Sequence, residues 1–167
     1  MPSLNDLEGY AGETSSSLIQ LAAMILVNGR DPGTAEIAGH GGVAYALTGL
    51  VQALPIHASR GQIYLPADLL AAHGVDRSDI LGGRTKPALL AALAELRSVA
   101  RGHLGAARKL TAALKAELFP AVLPLALIDP RLQAMERSRR DPLATTVELS
   151  QMRRQWILWR AAKRGRF

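Results

Sequence analysis

The sequence contains no cysteine, so neither a disulfide bond nor a thiolate metal site can form. Aromatic residues make up only 4% of its 167 residues, and Ala and Leu dominate the 49% that are hydrophobic. Sheets favour β-branched and aromatic residues, whereas Ala and Leu favour helices. The composition therefore predicts a single all-α domain over residues 1–167, which is long enough to bury a core.

Long apolar runs are also missing. No stretch of about 18 uninterrupted apolar residues occurs, and no basic segment leads into an apolar one at the N-terminus. The sequence therefore predicts neither a transmembrane helix nor a signal peptide, and it favours a soluble or membrane-peripheral protein.

Acidic residues are unevenly distributed along the chain. Residues 1–57 carry five acids and one base, which gives −4, while residues 58–167 carry nine acids and nineteen bases, which gives +10. No acid occurs between Glu36 and Asp68. A basic C-terminal part suits phosphates, anionic lipids or an acidic protein surface, and charge alone does not select among them. Nucleic acid is the least favoured partner, because the chain has no recognisable nucleic-acid-binding motif.

Hydrophobic periodicity and turn residues predict the order of the helices. The predicted helices cover 4–27, 35–54, a short segment from Pro66 to His73, 87–118 and 144–164, with two or three short pieces between Phe119 and Met135. Small residues at 15–17, all serine, predict a close contact between the first helix and a neighbour. We expect Thr34 to cap the second helix and Pro55 to end or kink it.

Three segments carry a resemblance to a known family: EGYAGETSSSLIQLAAMIL at 8–26, AGHGGVAYALTGLVQALPIHASRGQIYLPADLLAAHGV at 38–75 and WILWRAAKR at 156–164. Together they resemble the C-terminal half of the squalene/phytoene synthase superfamily. The order ALPIHASRGQIYLP at 53–66 is most similar to the divergent branch typified by the mitochondrial complex I assembly factor 6 of animals. The resemblance implies a partial isoprenoid-synthase-like helical bundle, and we expect the chain to be the C-terminal part of a longer protein of this kind.

The resemblance also locates a motif that lacks its metal-binding carboxylates in this chain. Synthases of this family carry a second acidic motif, Q-x-x-N-x-x-x-D-x-x-x-D, whose carboxylates hold magnesium ions that bridge to a prenyl diphosphate. Aligned on RGQIYLP, the motif positions of this chain are Ala46, Gly49, Ala53 and His57. None is a carboxylate, and an imidazole is a poor ligand for Mg²⁺. The resemblance therefore implies no second metal site, no catalytic residue and no cofactor in this chain.

Two functions of different classes follow from the resemblance. One is a non-catalytic role, as a pseudoenzyme, in the assembly of respiratory complex I (NADH:quinone oxidoreductase). Its partners would be complex I subunits or assembly intermediates at the inner face of a bacterial membrane, or in the mitochondrial matrix in the animal branch. The other is isoprenoid biosynthesis by a prenyltransferase that joins two prenyl diphosphates, with Mg²⁺ held by the missing N-terminal half or by a partner chain. The lack of acids at 46–57 favours the assembly role.

Pocket residues are suggested by the same resemblance. Tyr10, Arg60 and Tyr64 are candidates for contact with a pocket or a diphosphate. Two interpretations remain open for Arg60, which either contacts a diphosphate or pins its loop. Two also remain open for Tyr10, which either lines a cavity or packs with its hydroxyl satisfied. We also expect an apolar pocket, able to hold a prenyl lipid, between the helices at 4–27 and 35–54. A half-bundle exposes apolar faces, so a homodimer or association with the missing half is expected.

The last predicted helix combines tryptophans with many basic residues, and no acid follows Glu148. Apolar residues recur there at heptad-like spacing, at Leu149, Met152, Trp156 and Trp159. The candidate membrane-binding or partner-binding residues are Arg153, Arg154, Trp156, Trp159, Arg160, Lys163 and Arg164. Such a helix can lie on an anionic membrane surface or dock on a partner. The alternative is that the tryptophans complete the core and the arginines are solvated.

Overall fold

The computed structural model describes all 167 residues, and every regular element is helical, which confirms the predicted all-α class. The α-helices are α1 (Leu4–Ala11), α2 (Ser17–Leu26), α3 (Ala35–Gln52), α4 (Leu54–Ser59), α5 (Ala67–Ala72), α6 (Arg77–Leu81), α7 (Pro87–Thr111), α8 (Phe119–Val122), α9 (Ile128–Arg137) and α10 (Gln151–Arg164). A π-helical turn, Gly12–Ser16, joins α1 to α2, and 3-10 turns at Ala116–Leu118 and Leu123–Leu127 flank α8. None of the helices combines the length and the apolar composition needed to span a bilayer.

The core forms mainly between α3 and α7, the two longest helices, which lie against each other along much of their length. The apolar positions of α7 recur every three or four residues and therefore form one stripe. The stripe is buried at Leu89, Ala92, Leu93, Leu96, Ala100, Leu104 and Ala107. The remaining helices pack around this pair.

The first helical segment approaches α3 at the predicted serines. Ser16 is buried, and its hydroxyl donates a hydrogen bond of 3.0 Å to the carbonyl oxygen of Gly39. A Cβ atom built on Gly42 would overlap the backbone N and Cα of Ser16. The predicted close contact is thus confirmed, and it depends on glycine at position 42. The Ser17 hydroxyl, at the start of α2, donates to the carbonyl oxygen of Gly12 at 3.0 Å and so spans the π-helical turn.

Two predicted helices are shorter in the structure than in the sequence-based prediction. The helix predicted over 87–118 ends at Thr111, because the chain turns there and brings Leu118 into contact with a small buried cluster around Ala23 and Val27. The last helix begins at Gln151 and not at residue 144. Residues 144–150 run along the bundle instead, where the Gln52 side chain donates a hydrogen bond of 2.8 Å to the carbonyl oxygen of Val147.

The C-terminal end of the second predicted helix is as the sequence predicts, whereas its N-terminal cap differs from the prediction. Helix α3 ends at Gln52 and α4 starts at Leu54, with Pro55 in its first turn, so the predicted break at the proline is confirmed. Thr34 occupies the N-cap position, but its hydroxyl caps nothing. It donates instead to the Gln20 side chain at 2.7 Å, which ties α2 to the start of α3.

Candidate functional site

A cleft of about 250 Å³ opens where the resemblance places the degenerate acidic motif. Gly49 and Ala53 lie on its α3 side. The other lining residues come from the end of α3, α4, α9, the segment before α10, and α10 itself: Gln52, Ile56, Arg131, Thr146, Glu148, Leu149 and Arg154. The non-helical course of residues 144–150 brings Glu148 across to α3. Because the sequence pattern predicts a helix over these residues, it did not indicate that Glu148 lies in the cleft.

The four motif positions do not share one surface. Ala46 is half-buried and packs against the main core, whereas Gly49 and Ala53 face the cleft. His57 lies on α4, beyond the break in the helix, with its ring edge-on to Tyr64 and the ring centroids 4.8 Å apart. Burial, and then the nearby charge of Arg60, lower the pKa of the His57 imidazole, so the ring is neutral at physiological pH.

The cleft residues do not fit the magnesium ion that the fold family implies. Gly49 and Ala53 carry no ligand atom, and Glu148 is the single carboxylate among the lining residues. Magnesium prefers several oxygen ligands in octahedral geometry. Arg131 and Arg154 also place two positive charges in the same cleft, which disfavours a cation. No chemical step can therefore be derived through Mg²⁺ at these positions.

Helix α9, which carries Arg131, is held to α7 by a network of charges. Arg101 Nη1 and Nη2 donate to the two carboxylate oxygens of Glu136 at 2.5 and 2.8 Å, and Arg101 Nε lies 3.3 Å from Asp129 Oδ1. The hydrogen bonds from Arg101 lower the pKa of the Glu136 carboxyl. The pair is therefore charged at neutral pH, and its contribution to stability is lost only as the pH falls below the ordinary range of a glutamate.

An apolar groove of about 230 Å³ lies between the first two predicted helices, where a pocket is expected. Its lining residues are Ser15, Leu18, Ile19, Ala22, Tyr45, Ala121, Pro124 and Leu125. The last three form a third wall, from the segment around α8, that the sequence pattern did not indicate. Side chains do not fill the groove, so the space for an apolar ligand exists.

The other candidate pocket residues lie outside both the cleft and the groove. Tyr10, on α1, is 54% exposed, so its side chain does not pack into the core. Arg60 is exposed in the loop after α4. That loop docks on the bundle through Ile63 and Leu65, which are buried, while Tyr64 stays partly exposed beside His57.

Helix α10 exposes its tryptophans. Trp156 and Trp159 are 59% and 53% exposed and stack on each other with centroids 5.0 Å apart, and Met152 is more exposed still. The interpretation that the tryptophans complete the core is therefore wrong. Ala161 is buried and makes the contact with the bundle, together with Leu149 just before the helix. Of the heptad-like pattern, Met152, Trp156 and Trp159 lie on one face of α10 and point to solvent, whereas Leu149 precedes the helix and is buried.

Basic residues flank this face unequally. Because each residue turns the helix by about 100°, Arg153, Arg160 and Arg164 lie beside Trp156, and Arg154 lies on the far side. Lys163 Nζ sits 5.3 Å from the centroid of the Trp159 ring, a cation–π contact. We define the exposed surface of Met152, Arg153, Trp156, Trp159, Arg160, Lys163 and Arg164 as the α10 face. Arg154, which the sequence groups with these residues, belongs to the cleft.

A histidine pair joins α3 to α7 and has no signal in the sequence. The Nδ1 atoms of His40 and His103 lie 3.0 Å apart, so one ring must donate and the other accept. Glu8, on α1, lies 3.4 Å from His103 Nε2. The three side chains link three helices.

A family model for squalene/phytoene synthase matches residues 1–160. The chain belongs to the squalene/phytoene synthase family. One relative, the NADH dehydrogenase (ubiquinone) complex I, assembly factor 6 of Rattus norvegicus, is 33% identical over 135 residues, which cover 81% of this chain and 40% of the relative. The human protein of the same name is 31% identical over 134 residues, 80% of this chain and 40% of its own length.

Enzymes of the squalene/phytoene synthase family are similar to this chain as well. The phytoene synthase of Thermus thermophilus is 30% identical over 138 residues, covering 75% of this chain and 44% of that enzyme. The crystal structure of squalene synthase HpnC from Alicyclobacillus acidocaldarius superposes with a TM-score of 0.66 at 16% identity, over 98% of this chain and 52% of that protein. The likeness confirms the isoprenoid-synthase-like bundle. The chain spans about half the length of that synthase and 40% of the assembly factors.

Proposed function

We propose that this chain is a non-catalytic squalene/phytoene synthase-like module that acts in the assembly of respiratory complex I. The observation that carries the proposal is the cleft at the acidic motif, which presents Gly49 and Ala53 where the synthases place an asparagine and an aspartate, with two arginines in the same cleft. Departure of a diphosphate concentrates negative charge that metal ions and basic groups normally stabilise together. The relatives named complex I assembly factor 6 support complex I as the enzyme whose assembly this chain assists.

The second candidate is a prenyltransferase of the squalene/phytoene synthase type, which the similarity to a phytoene synthase favours. It requires that Mg²⁺ be bound by residues outside this chain, in an N-terminal half or a partner. The two candidates predict opposite phenotypes, so one experiment separates them.

The test is a strain that lacks the gene, assayed for NADH:quinone oxidoreductase activity in its membranes and for squalene and carotenoids in its lipid extract. We expect the oxidoreductase activity to be lost, the isoprenoids to be normal, and re-expression of the gene to restore the activity. Normal oxidoreductase activity with a missing isoprenoid would overturn the assembly role and favour the prenyltransferase.

The exposed face of α1 and α2 fits contact with further helices. Tyr10, Leu18, Leu21 and Ile25 are each more than half exposed, a concentration of large apolar side chains that water disfavours. This chain aligns with only 52% of the HpnC structure, so the rest of that fold lies outside it. We propose that the face pairs with a complementary N-terminal half or with a second copy.

Light scattering at micromolar concentration tests this pairing. We expect the chain to be a dimer alone, or to form an equimolar complex when an N-terminal half is co-expressed, and Leu21→Glu to abolish the association because it buries a charge at the contact. Leu81→Glu is the matched control, since Leu81 is also exposed but lies on α6, away from this face. A monomer under both conditions would contradict the proposal.

We also propose that the α10 face holds the protein at the inner surface of the membrane where complex I is assembled. Exposed tryptophans suit the headgroup region of a bilayer, and neighbouring arginines and lysine attract anionic lipids.

A further inference from the structure

Arg97, on α7, carries a buried charge whose Nε atom has no hydrogen-bond partner. Its side chain is only 16% exposed, and Nε itself is buried. The nearest carboxylate oxygen, on Glu136, lies 3.6 Å from Nε, which is too long for a hydrogen bond. Both carboxylate oxygens of Glu136 already accept hydrogen bonds from Arg101. Arg97 therefore needs a further acceptor, because an unsatisfied buried donor destabilises the folded state.

A cavity of about 40 Å³ beside Arg97 is lined by hydrogen-bond donors. Its walls come from α3, α7, the end of α9 and residues 138–147. The guanidinium of Arg140 and the hydroxyls of Ser138 and Thr145 line it together with Arg97. Ser138 Oγ accepts a hydrogen bond of 3.1 Å from the backbone N–H of Arg140, so its own proton is free to be donated. No carboxylate lines the cavity, so the two guanidinium groups leave it positive.

The size and the apolar walls of the cavity limit what it can hold. One water molecule needs roughly 10–15 Å³ of such space, so the cavity takes one small ion and no diphosphate or lipid head group. Val51, Leu93 and Met135 form apolar parts of the wall, which disfavour an ion with a large hydration cost. Burial also lowers the pKa of the Arg97 guanidinium, an effect that a bound anion would oppose.

We propose that this cavity binds one chloride ion between Arg97 and Arg140. The hydroxyls of Ser138 and Thr145 complete its set of donors. The ion thereby ties the segment after α9 to α7. The same segment carries Glu148 to the cleft and leads into α10, so the ion stabilises the course of residues 138–150. This structural site is independent of the assembly role.

Thermal unfolding of the full chain in about 100 mM sodium chloride, or in sodium gluconate of equal ionic strength, tests the proposal, because gluconate is too large for the cavity. We expect half-saturation near 10 mM chloride, so Tm should be about 4 °C higher in chloride. Hydrogen exchange followed by mass spectrometry should localise the effect. Exchange should slow more over residues 138–150 than in α5, which lies outside the cavity.

Variants locate the site through the difference in Tm between the two solutions, which is informative even where a variant is itself less stable. Arg97→Met should abolish the rise in Tm, because it removes the buried charge and its donors. Arg140→Gln should raise the half-saturating chloride concentration about tenfold. Arg139→Gln is the matched control. Arg139 is exposed, adjoins Arg140 in sequence and does not line the cavity, so its variant should keep the full rise.

Three results would overturn the inference. Equal Tm values in chloride and gluconate would leave the cavity to water. A rise in Tm that persists in both Arg97→Met and Arg140→Gln would place the ion elsewhere, and Arg140→Gln alone decides this point if Arg97→Met fails to fold. A rise that does not saturate as chloride increases would indicate general screening of charges. None of these outcomes bears on the assembly role, which the deletion strain tests separately.

Discussion

Gly42→Ala should destabilise the protein by about 3 kcal/mol, at the upper end of the range for overpacked cores. The added methyl group would overlap the backbone N and Cα of Ser16, and a backbone cannot move aside as the end of a flexible side chain does. Helix α3 would have to move away from the π-helical turn, and the hydrogen bond from Ser16 to Gly39 would be lost with it. Thermal unfolding followed by circular dichroism should show Tm lowered by roughly 10 °C.

Gly39→Ala is the control for this prediction. Gly39 also lies in α3, but a Cβ built on it meets nothing within 4 Å. Alanine in a helix interior is favoured over glycine by roughly 0.5–1 kcal/mol, so this variant should be slightly more stable than the parent protein. If the two variants had equal Tm values, the close approach of Ser16 to α3 would be refuted, and with it the packing that forms one side of the apolar groove.

Much of the fold could be predicted because its signals are local. The stripe on α7 follows from residues three and four positions apart, and the break before α4 follows from Pro55. The serines at 15–17 indicated a close contact, although the glycine that receives Ser16 lies 26 residues further along. Here the pattern of small residues was sufficient, because only small residues permit such an approach.

The cleft could not be predicted, because its residues come from distant parts of the chain. Gly49 and Glu148 are 99 residues apart, and only the course of residues 144–150 brings them together. One local signal was present: Thr145, Thr146 and Val147 are consecutive β-branched residues, which lower helix propensity. This run favours a start of the last helix near Ser150, whose hydroxyl caps it.

Hydrophobic periodicity identifies a face of a helix, but it does not determine whether that face points to the core or to solvent. Trp156 and Trp159 repeat as core residues would, yet they point to solvent, because contacts elsewhere fix the rotation of α10. The buried Ala161 faces the bundle, and Phe167, after the helix, accepts a hydrogen bond of 3.0 Å from Arg108 and packs near Phe119. These contacts hold α10 with its tryptophans outward and so create a surface that a sequence pattern alone assigns equally well to the core.

A variant in which the four basic residues of the α10 face are replaced by glutamine should lose nearly all affinity for vesicles that contain anionic lipid. The substitutions are Arg153→Gln, Arg160→Gln, Lys163→Gln and Arg164→Gln. Each basic residue near an anionic surface contributes about 1 kcal/mol, so the four together are expected to lower the partition coefficient about a thousandfold. Co-sedimentation with phosphatidylcholine vesicles, with and without phosphatidylserine, measures it.

The matched control removes the same charge elsewhere, by glutamine substitutions at Arg77, Arg137, Arg139 and Arg140, which are exposed and take part in no ion pair. In both variants the formal net charge falls from +6 to +2. If attraction came from net charge alone, both would lose affinity equally, and the α10 face would have no special part in binding. Loss confined to the α10 variant requires a local surface, since charges further from the lipid than the Debye length of about 8 Å are screened at physiological salt.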